Sequence, residues 1–138
     1  MTPAENARAL IEVLARDLAC AVVEEARIAG VRVNDTNRDL TRQMAAVFAD
    51  DLAVFVRKQA DYGAGNIGAF GLAGVLLRSH DKTQRLANLA RSADSASAAI
   101  RSAVKGEAVE DTLGDLTNYG AIGRLVTRGL WPEFVEGA

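Results

Sequence analysis

Between Pro3 and Pro132 the chain contains no proline. No residue in that stretch lacks a backbone N–H, so nothing forbids long helices. Composition turns this permission into a prediction. Of the 138 residues, 49% are hydrophobic but only 5% are aromatic, and the apolar share is mostly Ala, Leu and Val. Alanine and leucine favour helix, and the aromatic and β-branched runs that mark strands are absent. The expected fold class is all-α, a bundle of four to five helices. By size the chain is one domain, long enough to bury a core without staples. We read residues 1–138 as a single helical domain: an N-terminal helix and connector over 1–35, a core over 36–128 and a tail over 129–138.

Periodicity places the helices. Leu10, Leu14, Leu18, Val22 and Ala26 repeat at helical spacing, with Thr2 as a cap, Pro3 in the first turn and Gly30 as a stop, predicting a helix from Pro3 to about Ala29. A second helix starts near Asn34-Asp35-Thr36. It carries the stripe Leu40, Met44, Val47, Phe48, Leu52, Phe55, Val56 and ends near Tyr62, where Gly63-Ala64-Gly65 breaks the pattern. Periodicity resumes at about Phe70, with a potential break at Ser79-His80-Asp81. Residues 93–103 read as helix or linker, and Lys105-Gly106 as a stop. A last helix covers Glu107 to about Thr127, and Trp131 and Phe134 lie in a tail that docks on the body or on a neighbouring subunit.

Charge and cysteine content exclude several classes. A net charge of −2 and a pI near 5.4 give no strong nucleic-acid signal. A single cysteine, Cys20, rules out an internal disulfide and a CxxC metal site, and its apolar run predicts a buried thiol. No stretch has the length of a membrane span, and the N-terminus does not resemble a signal peptide, so an intracellular protein without a membrane partner is expected.

Three features can carry chemistry. Five of the 12 glycines (Gly63, Gly65, Gly68, Gly71, Gly74) fall within 12 residues. They can let backbone approach an anion ahead of a helix start, or let two helices pack closely across Gly71 and Gly74. The segment is neither a P-loop nor a dinucleotide fingerprint. Arg78, Lys82 and Arg85, at i, i+4 and i+7, share a face if their helix is continuous. That suits a di- or triphosphate, or a solvated basic stripe. Glu107, Asp111 and Asp115, with Asn118 beside them, span roughly 80° of a helix. Such carboxylates suit Mg²⁺, or they are a solvent face opposite the apolar stripe. The single His80 reads as a surface residue.

The ordered set of Lys58-x-x-Asp61-Tyr62-Gly63, Asn66, Phe70-Gly71, Gly74, Arg78-x-x-Asp81-Lys82-x-x-Arg85-Leu86-x-Asn88-Leu89, Gly106-Glu107 and Asp111-Thr112-Leu113-x-Asp115-Leu116-x-Asn118-Tyr119 resembles the phage and bacterial nucleotide-modification-associated domain, type 1. The resemblance covers about residues 50–125. The last motif is also similar to the second acidic motif of the all-α MazG-type nucleoside triphosphate pyrophosphatases. Their first motif, ExxE, has no counterpart here; Asp50, Asp51 and Asp61 stand on the second helix at a different spacing.

The resemblance implies a nucleotide or nucleotide-derived partner, a setting in the cytoplasm of a host or infected bacterium, and, on the MazG side, Mg²⁺-dependent phosphohydrolysis of a free (deoxy)nucleotide. In that scheme Glu107, Asp111 and Asp115 hold Mg²⁺. Asp61, with Glu107 and Asp111, forms the catalytic set. Lys58, Arg78, Lys82 and Arg85 bind phosphates, and Tyr62, Gly63, Asn66, Gly71, Asn118 and Tyr119 complete the substrate site. Two alternatives stand beside it: a non-catalytic protein that sequesters a nucleotide or cyclic nucleotide in an anti-defence role, and a structural or adaptor protein. A homo-oligomer is expected in each case.

Overall fold

The computed structural model describes residues 1–91 and 108–132. Among these residues the fold is all-α, with four helices: α1 Pro3–Ile28, α2 Asp35–Tyr62, α3 Gly65–Arg91 and α4 Ala108–Thr127. None is long and apolar enough to cross a membrane. The chain divides into two compact units, residues 1–53 and 54–138, and α2 runs through the boundary.

Local chemistry sets the helix ends. The Thr2 hydroxyl accepts from the Glu5 N–H at 3.1 Å while the Glu5 carboxylate accepts from the Thr2 N–H at 2.6 Å, a reciprocal capping box. The chain leaves α1 through Gly30 at φ 87°. The Asn34 side-chain oxygen accepts from the Asn37 N–H at 2.8 Å at the start of α2. Gly63, at φ 67°, ends α2.

In the first unit α1 and α2 form an antiparallel pair. Arg8, near the start of α1, reaches Asp50, late in α2, at 2.8 Å. Of this unit's apolar residues only Ala19 and Ala45 are fully buried. Cys20 is exposed, contrary to the buried thiol expected from its apolar run. Successive helical residues turn by about 100°, so a run such as Leu18–Val23 cannot all face inward.

The second unit has a larger core. Ile67, Val75 and Ile122 are buried, with Phe55, Tyr119, Val126 and Trp131 packed against them. Helices α3 and α4 pack antiparallel, with Val75 against Gly123 and Lys82 against Asp115. The Trp131 indole N–H donates to the Ala64 carbonyl at 3.1 Å and its ring meets Phe55 edge-on at 6.2 Å, so this part of the tail docks on its own body. Phe134 lies outside the described residues.

Helix α3 departs from expectation twice. It starts at Gly65 rather than near Phe70, because Ile67 is held in the core and stabilises a first turn that glycine alone disfavours. It also does not stop at Ser79–Asp81. The Ser79 hydroxyl donates to the Val75 carbonyl at 2.9 Å, one turn back, a bond compatible with an unbroken helix. The actual interruption is a kink at Gly71, at φ 57° and ψ −139°.

Candidate functional site

A cavity of about 380 Å³ opens within the second unit, between the end of α2, α3 and α4. Helical spacing assembles its wall. On α2, Phe55, Lys58, Gln59 and Tyr62 recur at three- and four-residue intervals and face it together. The uninterrupted helix after Gly71 carries Arg78, Lys82 and Arg85 along one face, with Asp81 beside them, and all four line the cavity. Asp115, Asn118, Tyr119 and Ile122 close it from α4, and Asn66 and Ile67 contribute from the first turn of α3.

The electrostatics centre on Asp115, which is 8% exposed. One carboxylate oxygen accepts from Lys58 Nζ and the other from Lys82 Nζ at 2.7 Å. Burial pushes this carboxyl up, but hydrogen bonds and charge from the two lysines outweigh it and hold it below the usual aspartate value. Asp115 therefore stays ionised and pins both lysines. Among the described residues neither Arg78 nor Arg85 has an ion-pair partner. Four cations thus face two carboxylates in one cavity, leaving it net positive. Buried Ile67 and Ile122, with Phe55 and Tyr119, supply an apolar wall, while Asn66, Gln59 and Asn118 supply amide groups able to read a polar edge. Charged and amide side chains thus outnumber the apolar ones in the lining.

Of the residues singled out from sequence, Lys58, Tyr62, Asn66, Arg78, Lys82, Arg85, Asp115, Asn118 and Tyr119 come together here. Others do not. Asp61 and Asp111 are exposed and outside the lining, on α2 and α4. Gly63 serves the α2–α3 turn and Gly71 the kink, and neither lines the cavity. Glu107 lies outside the described residues. The acidic stripe of α4 is therefore split, with Asp115 turned inward onto two lysines and Asp111 turned to solvent. Among the described residues no group of three or more His, Cys, Asp or Glu side chains is placed to hold a metal ion.

Phe55, Gln59, Ile67 and Ile122 were not singled out beforehand. The signal for Phe55 and Gln59 was present, since both stand one helical turn from a residue that was, Lys58 or Tyr62. Ile67 and Ile122 are ordinary core residues in sequence, and only the packing of α3 on α4 brings them to the cavity. The chain matches no protein-family model, no curated protein and no solved structure.

Proposed function

We propose that this cavity binds a phosphorylated nucleotide. The observation that carries the reading is the convergence of Arg78, Lys82, Arg85 and Lys58 on one cavity with an apolar, aromatic wall. Arginine grips phosphate oxygens bidentately, and Arg78 and Arg85 are the two cations not already held by Asp115. The phosphate sits on these arginines. The base lies toward Tyr119, Phe55 and the amides of Asn66 and Asn118, with Tyr62 at the rim. The volume, at the small end of ligand cavities, suits one mononucleotide unit. Resemblance to the nucleotide-modification-associated domain supports the same ligand class.

Binding without turnover is the reading these residues favour, because the inward carboxylate Asp115 is already neutralised by two lysines. Asp81 favours a second reading. As the other carboxylate of the lining, beside Arg78, Lys82 and Arg85, it would orient a water for phosphohydrolysis. The experiment that tests both is a melting-temperature screen of the purified protein with mono-, di- and triphosphates of each nucleoside, with and without Mg²⁺, followed by an assay for released phosphate or pyrophosphate. Binding predicts a rise that Arg78→Ala and Arg85→Ala each reduce. Turnover predicts product whose formation Asp81→Asn removes. No shift with any nucleotide contradicts both.

A further inference from the structure

The first unit buries few of its apolar side chains. Residues of low exposure mark the seam between its helices: Ile11, Ala15, Ala19, Val23 and Ala26 on α1, and Thr41, Ala45 and Ala49 on the part of α2 that lies in this unit. Only Ala19 and Ala45 of that seam are fully buried. Most of the large apolar side chains lie elsewhere. On α1 they are Leu10, Leu14, Leu18 and Val22, one per turn. On α2 they are Leu40, Met44, Val47, Phe48 and Leu52. Each is between 46% and 62% exposed.

These two stripes form one face. Counting about 100° per residue, each is centred about 100° from its helix's seam, turned in the same rotational sense. In an antiparallel pair, equal offsets of like sense fall on the same side. Of the two acidic residues in this sector, Glu25 is exposed near one end, and Asp51, near the other, is half-buried with one carboxylate oxygen shielded from water.

We infer that this face is the interface with a second copy of the chain, hairpin against hairpin in a four-helix arrangement. Its extent decides the occupant. Nine half-exposed side chains offer on the order of 800 Å², above the few hundred of an ordinary monomer's largest patch and about what each partner gives a standard dimer. Two adjacent antiparallel ridges are also self-complementary under a two-fold axis, which sets one copy's α1 ridge beside the other's α2 ridge.

Sedimentation of the full chain at about 10 to 100 μM tests the inference. The expected species has twice the 14.6 kDa chain mass, and the double variant Leu14→Glu, Phe48→Glu runs as a monomer. Because that variant can simply unfold, two further readouts are decisive. The wild-type melting temperature rises over a 100-fold range of protein concentration. Leu18→Ala, which keeps helix propensity, raises the dimer dissociation constant at least about tenfold. A wild-type monomer at 100 μM overturns the inference, since the face is then covered by the chain's own second unit or by a different protein. So does a dimer that none of these substitutions weakens.

Discussion

Asp115 governs how the candidate site is charged. Held by Lys58 and Lys82, it keeps two of the four cations occupied while Arg78 and Arg85 stay available to an anion. Replacing it with asparagine should lower unfolding stability by about 2 kcal/mol, less than the 3–5 kcal/mol of a fully buried pair because Lys58 stays half in water. Nucleotide affinity should rise at low salt as both lysines are released. If Asp115 instead served as a metal ligand, the same change would abolish Mg²⁺-dependent binding. Its folded pKa lies below the unfolded value of about 3.9. The linked stability is thus complete above that value and is lost as pH falls through the folded one. Urea titrations at pH 7 and pH 3 should show wild type losing more stability on acidification than Asp115→Asn. At this scale the cations were legible in the sequence because spacing on one helix dictates a shared face. The role of Asp115 was not, since its partners come from α2 and α3, and a stripe of like charges does not say which member turns inward.

The element that sets the site's shape is α3, and its kink is a single-residue device. At φ 57° and ψ −139° Gly71 occupies backbone space that side-chain-bearing residues avoid, while nothing lies within 4 Å of where a Cβ would be. The cost of Gly71→Ala is therefore conformational, about 1–3 kcal/mol. It should also weaken nucleotide binding, because the kink orients the Asn66–Ile67 turn against the face of Arg78, Lys82 and Arg85. Gly120 is the contrast. It lies inside α4 with open space around it, so Gly120→Ala should stabilise the fold by up to about 1 kcal/mol. Chemical denaturation of both variants separates the two kinds of glycine. The ends of α1 and α2 were readable from Thr2, Gly30, Asn34 and Gly63 because capping is local chemistry. The start of α3 at Gly65 was not, because Val75 and Ile122, the core partners of Ile67, and the Trp131–Ala64 hydrogen bond stabilise that turn from outside it. Nor was the continuity through Ser79, whose hydroxyl can either cap a new helix or bond back within an existing one.

For the whole molecule, composition and proline placement were enough to read the all-α class, since they act along the entire chain. Its division into residues 1–53 and 54–138 was not visible, because α2 carries one unbroken apolar pattern across the boundary. The two units differ in character: a hairpin with half-exposed large apolar side chains, and a helical layer enclosing a cationic cavity. The central claim concerns that cavity, and titration calorimetry at low ionic strength tests it most directly, comparing a nucleotide with its own nucleoside on wild type and on Arg78→Ala, Arg85→Ala. Two arginine–phosphate grips, at roughly 1.5–3 kcal/mol each, predict that the nucleotide binds at least about 100-fold tighter than the nucleoside and that the double variant erases the difference. Equal affinity for nucleotide and nucleoside, or a nucleotide affinity untouched by loss of both arginines, would contradict it.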